Sequence, residues 1–304
     1  IGAGNAVVVK PSPKAPLAAD MLVRLTVEAG FPQDLVQIIH GGAEAALALA
    51  QARIDLLSFT GGPDAGLALK RASGLVRCLM ELGGNDPLFV LSDADLDAAV
   101  ETAVGHRFEI AGQSCAAVKK LYLHADIEKS FTERLLAKVA AHRFGDPSDS
   151  ATQMGPVIDA AAKNEILARL GQAQAMGALV LTGGTAKGNL IAPTVVAKVL
   201  PDMKLVAEET FGPVLALRPF SDLDAAMAEV NSCEYGLQAG IFSNDHAAIR
   251  KLTRGLQVGG IMVNEGPDFR AEHVPFGGIK RSGLGREGVR IAMREMSETR
   301  VVID

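Results

Sequence analysis

Leu56-Leu57-Ser58-Phe59-Thr60-Gly61-Gly62-Pro63 is an apolar run that stops at a glycine pair. Residues 56–59 read as a buried strand, Thr60-Gly61-Gly62 as a turn, and 64–72 as the helix beyond it. Downstream, 76–80 is a further strand that ends at Glu81. Upstream, the pattern predicts a helix over 43–52 and a strand over 36–39. A helix over 17–29 precedes them, with Leu17, Met21 and Leu25 at four-residue spacing and Gly30 and Pro32 to stop it. A strand over 6–9 opens the series. Strands alternating with helices imply one parallel sheet covered on both faces, with ligands at the carboxyl ends of its strands. Lys10, the Gly61-Gly62 turn and Glu81 all fall at such ends.

The second half repeats the alternation. Strands are expected over 88–91, 121–124, 178–181, 213–219, 239–242 and 260–263, and helices over 96–108, 128–142, 163–176, 223–230 and 247–256. Residues 144–157, rich in Gly, Pro, Ser and Asp, read as a solvent-facing loop. At 304 residues the chain is long for one domain, so two lobes are expected. A net charge of −5 gives no footprint for nucleic acid, and no basic tract or long apolar run points to a membrane. Three scattered cysteines argue for a reducing, cytoplasmic setting and against disulfides. The six histidines form no metal-binding spacing, so no metal is expected. Gly283-Leu284-Gly285-Arg286-Glu287-Gly288 fits a dinucleotide-binding pattern but lacks a preceding strand, and reads as the turn into a helix over 289–296.

Cys115, in Gly112-Gln113-Ser114-Cys115, is the residue with the most chemistry. A thiol becomes a strong nucleophile on losing its proton, and a carboxylate such as Glu81 can act as base for it or for a water. Small neighbours leave backbone N–H groups accessible to an oxyanion. A lone cysteine is more often buried and inert, which is the reading kept for Cys78 and Cys233.

Six strings occur in order: Val9-Lys10-Pro11-Ser12, Phe59-Thr60-Gly61-Gly62, Glu81-Leu82-Gly83-Gly84, Gly112-Gln113-Ser114-Cys115, Glu208-Glu209-Thr210-Phe211-Gly212-Pro213 and Pro275-Phe276-Gly277-Gly278. Together they resemble the aldehyde dehydrogenase superfamily across nearly the whole chain. The resemblance implies an α/β, aldehyde-dehydrogenase-like fold: a partial Rossmann-like parallel sheet plus a second α/β catalytic domain. It divides the chain into 1–82, the remainder of an NAD(P)-binding domain, 83–282, the catalytic domain, and 283–304, a C-terminal helix and an oligomerisation strand at Arg300-Val301-Val302-Ile303. It implies oxidation of an aldehyde to an acid, with Cys115 forming a thiohemiacetal and then a thioester, and Glu81 activating the water that hydrolyses it. Lys10, Ser12, Gly61, Gly62, Leu82, Glu209 and Phe211 would hold NAD or NADP. Ser114, Asp268 and Phe269 would line the substrate pocket. The partners implied are a small aldehyde and further copies of the chain, as a dimer or tetramer.

The chain also departs from the family. A further N-terminal stretch, carrying an asparagine that donates to the oxyanion, would precede Ile1. Ile110 stands where Asn is common. Pro13 replaces a glutamate frequent in NAD-preferring members, which with Lys14 leans toward tolerance of NADP. Ser114 replaces the arginine of members acting on phosphorylated aldehydes, and Asn264 to Arg270 is similar to members acting on small hydroxy-aldehydes and semialdehydes. Two other readings stay open: a catalytically impaired or binding member of the same fold, and a cysteine-dependent esterase or acyl transferase.

Overall fold

The computed structural model describes residues 1–304, which form two compact units. The first comprises residues 1–82, 272–276 and 284–304, and the second 83–271 and 277–283. Residues 272–276 therefore cluster with the first unit, where the sequence reading put them in the catalytic domain. Residues 284–304 join it as well, instead of standing apart.

In the first unit the alternation holds, but its strands do not share one sheet. Val7–Val9 pairs in parallel with Val36–Ile38, and Leu56–Thr60 pairs in parallel with Arg77–Glu81. The two pairs belong to separate sheets, which corrects the expected single sheet. Burial explains the difference. Val8 is 44% exposed, and neither Val7–Val9 nor Leu56–Thr60 is covered on both faces as a central parallel strand is. The helix predicted over 17–29 is Pro16–Glu28, with Pro16 at its first turn, yet none of its residues is buried. Leu17, Met21 and Leu25, expected to face a core, are exposed, because a two-stranded sheet offers too little surface to cover them. Apolar packing concentrates on Ala50, Leu69, Met80 and Leu82, between the strands and the helices Ala43–Gln51 and Pro63–Ser73. The tail 297–304 has no regular structure, and Val301, Val302 and Ile303 are exposed, so the expected strand does not form in this chain.

The second unit carries a seven-stranded sheet, in the order Gly260–Val263, Gln238–Phe242, Pro87–Val90, Lys120–His124, Val214–Phe220, Thr194–Ala197, Leu179–Thr182. All neighbours are parallel except the last pair, where the register slips between Val195 and Val196. Alternate side chains enter opposite cores. Leu88, Val90, Leu121 and Leu123 join one apolar cluster, and Phe89, Leu91 and Tyr122 the other. Helices Leu96–Phe108, Glu128–Ala141 and Ala160–Ala175 pack on the first cluster, and Leu223–Ser232 and His246–Gly255 on the second. Residues 144–157 are not wholly solvent-facing. Gly145 donates its N–H to the Met154 carbonyl, which folds the loop back and buries Met154 and Val157. No helix is long and apolar enough to cross a membrane.

Candidate active site

The helix Leu96–Phe108 delivers the chain to Cys115 through a short irregular turn, Glu109–Gly112. Ile110 (φ 50°), Ala111 (φ 56°) and Gly112 (φ 69°) all adopt left-handed backbone. This accounts for the frequency of Asn at this position, while the presence of Ile110 itself has no structural explanation. Asn tolerates that conformation, while a β-branched side chain strains in it. Gly112 has no such penalty, and a Cβ there would collide with the carbonyl of Gly212.

The second unit brings Gly83-Gly84, Glu209 and Asp268 to the Cys115 loop. A Cβ on Gly84 would strike the Cys115 carbonyl oxygen, and one on Gly83 would strike the Glu209 carboxylate. The glycine pair is thus needed for close approach. Gly84 donates its N–H to Glu209 Oε1 at 3.1 Å. Ser114 Oγ donates to both Asp268 oxygens, at 3.0 and 3.2 Å. Phe211 and Phe269 are close to half exposed, at 46% and 47%, and so are available to a ligand.

Three buried charged residues that the motif reading passed over support this arrangement. Lys119 Nζ donates to the carbonyls of Ser114 (2.8 Å) and Cys115 (2.5 Å) and lies 3.7 Å from Glu209 Oε1. Arg107 Nη2 donates to the carbonyls of Thr210 and Gly212, on either side of Phe211. Asp86 is buried beneath the loop, and its carbonyl accepts from Lys119 N. A signal was present in the sequence for Lys119 alone, since Lys119-Lys120 interrupts an apolar run.

Burial pushes the Cys115 thiol up to about 11; Lys119 opposes this, while Asp86, Asp268 and Glu209 add to it. Burial also raises Asp86 to about 8 against the pull of Lys119, and raises Glu209. It lowers Arg107 to about 9, with Glu209 opposing, and lowers Lys119. With its pKa raised in this way, Cys115 would need a base to become a thiolate near neutral pH.

The remaining predicted residues lie in the first unit. Glu81 ends the strand Arg77–Glu81, is buried, and its carbonyl accepts from Gly61 N at 3.1 Å. Lys10 follows Val7–Val9 and donates to the carbonyls of Pro11 (2.6 Å) and Gly41 (3.2 Å). Exposed Ser12 accepts from Lys14 N. The Leu82 side chain is committed to the core, against Gly66. Gly62 caps the helix Pro63–Ser73 without any side-chain hydrogen bond, and nothing lies within 4 Å of where its Cβ would be. An uncapped helix N-terminus facing open space fits the phosphates of a dinucleotide.

Comparison with known proteins shows the family. A model of the aldehyde dehydrogenase family matches residues 1–302. The sulfoacetaldehyde dehydrogenase of Neptuniibacter caesariensis is 41% identical over 99% of this chain and 66% of its own length. The aspartate-semialdehyde dehydrogenase 1 of Pseudomonas canavaninivorans is also 41% identical, over 99% of this chain and 64% of its own. The NADP complex of a glyceraldehyde-3-phosphate dehydrogenase from Methanocaldococcus jannaschii superposes with a TM-score of 0.94 at 34% identity, covering 97% of this chain and 66% of that one. The chain thus spans about two thirds of the length of these relatives. Six ordered motifs, a Cys115 loop packed on Gly84, and a family match over residues 1–302 place the chain in the aldehyde dehydrogenase family.

Proposed function

We propose that this chain belongs to an enzyme that oxidises an aldehyde to a carboxylic acid with NAD or NADP. The observation that supports this best is the packing of Cys115 and Glu209 against Gly83-Gly84 in one unit. The Cys115 sulfur, once deprotonated, adds to the carbonyl carbon and forms a thiohemiacetal, with the Cys115 N–H directed at the oxyanion. A bound dinucleotide would supply the hydride acceptor, and departure of the hydride from the thiohemiacetal carbon would leave a thioester on Cys115. Glu81 takes a proton from the water that attacks the thioester, releasing the acid and restoring the thiol. Lys10, Ser12 and the Gly61-Gly62 turn hold the adenosine and phosphate end of the dinucleotide. Leu82, Glu209 and Phe211 hold the nicotinamide end.

We read the substrate as a small hydroxy-aldehyde or semialdehyde. The Asp268 carboxylate fixed on Ser114 supports this, since it disfavours a strong anion beside the nucleophile. Homo-oligomeric assembly in the cytoplasm completes the reading; the three free cysteines fit a reducing compartment and do not bear on assembly. In an assay following reduced nicotinamide with glycolaldehyde, lactaldehyde and succinic semialdehyde, Cys115→Ser is expected to abolish turnover. Turnover retained in the variant refutes the reading, as does ester cleavage with no dinucleotide reduced by any aldehyde.

A further inference from the structure

We propose that Lys119 is a positioning residue for the nucleophile: its buried ammonium clamps the carbonyls of Ser114 and Cys115, aims the Cys115 N–H outward and sustains the thiolate. The inference rests on reading Cys115 as the nucleophile.

The Lys119 side chain is 1% exposed, so its charge is desolvated and must be satisfied within the protein. Its partners are the two consecutive carbonyls of the nucleophile's own peptides, at 2.8 and 2.5 Å, with Glu209 at 3.7 Å. The chain has no cis peptide bonds, so the Ser114 carbonyl and the Cys115 N–H point in opposite directions on one planar unit. An ammonium holding that oxygen therefore fixes the N–H toward the opposite side. It also polarises the peptide, which makes the N–H a stronger donor to a developing oxyanion. Gly84 closes the other side of the Cys115 carbonyl, so this oxygen has little freedom to turn away.

The charged groups acting on the sulfur are Lys119, Asp86, Asp268 and Glu209, and Lys119 is the one cation among them. Those acting on Lys119 are Asp86, Glu209, Arg107 and Cys115. A neutral side chain at 119 would leave the sulfur among carboxylates alone.

The test is the rate of Cys115 alkylation by iodoacetamide at a fixed pH near 8, mapped by peptide mass spectrometry, without aldehyde or dinucleotide. At a pH well below the thiol's titration, the rate follows the thiolate fraction. Lys119→Met and Lys119→Gln are expected to slow it at least threefold, and Lys119→Arg to stay within twofold of the parent. A residue that only braced the loop would give the opposite sign, because a loosened loop exposes the sulfur and speeds alkylation. An unchanged or faster rate in a folded neutral variant overturns the proposal. If neither neutral variant folds, a threefold loss in Lys119→Arg, where the positive charge remains, overturns it. In aldehyde oxidation by the active protein, Lys119→Met is expected to lower kcat at least tenfold with KM within threefold; a change in KM alone counts against the proposal. Alkylation needs no turnover, so failure of the aldehyde-oxidation reading would appear separately, as an absence of dinucleotide reduction in the parent protein.

Discussion

At the level of single residues, the loop before Cys115 stores conformational strain. A non-glycine residue in left-handed backbone costs about 1–2 kcal/mol. Ile110 is both β-branched and 64% exposed, so it incurs that cost with little burial in return. Ile110→Asn is expected to raise stability by about 1 kcal/mol, read as a higher denaturant midpoint. Destabilisation would show that the Ile110 side chain packs more productively than its exposure indicates. Gly83 and Gly84 are residue-scale features of another kind. The motif string was legible in sequence, but its reason was not: that two glycines are needed because a carboxylate and a carbonyl occupy the space beside them is a long-range fact. Lys119, Arg107 and Asp86 escaped notice for the same cause. A charged residue in an apolar run has meaning only once its partners, from distant parts of the chain, are known.

Individual elements were the most legible part of the sequence. The helix over 96–108 and the strand over 260–263 appear with the expected bounds, and most others shift by only a few residues at their ends. Local signals account for this. Asp95 accepts from the N–H groups of Asp97 and Ala98, both at 3.1 Å, and so starts its helix by capping it. Asp95→Ala is expected to cost about 1 kcal/mol, measured by chemical denaturation, and no measurable loss would show the cap to be redundant. Thr194–Ala197 went unread although Thr194, Val195 and Val196 are fully buried, because a four-residue strand carries too little periodicity to register. The stripe on Pro16–Glu28 shows the converse. Its periodicity gave the helix correctly, but periodicity does not reveal how much surface a neighbouring sheet can supply to cover it.

For the molecule as a whole, buried ionisable groups tie stability to pH. Asp86 is raised from 3.8 to about 8, so between those values the folded protein holds a proton that the unfolded chain has released. Stability then falls as pH rises across that window, and the raised Glu209 adds in the same direction. Asp86→Asn keeps an oxygen for the Gln238 N–H that Asp86 accepts and removes the titration. The variant is expected to show a shallower decline of Tm between about pH 5 and 8 than the parent, and a parallel decline would show that Asp86 is ionised throughout. Division into lobes was foreseen from length and alternation, whereas the return of residues 272–276 and 284–304 to the first unit was not, since no local pattern encodes which lobe a late segment rejoins.

The doubly covered sheet of the second unit has a kinetic consequence. Backbone amides along Pro87–Val90 and Lys120–His124 are sealed beneath two apolar layers, while Val7–Val9 lies beside water. Local opening therefore starts at residues 1–38, and the amides of those two central strands are among the last to lose protection from solvent deuterium.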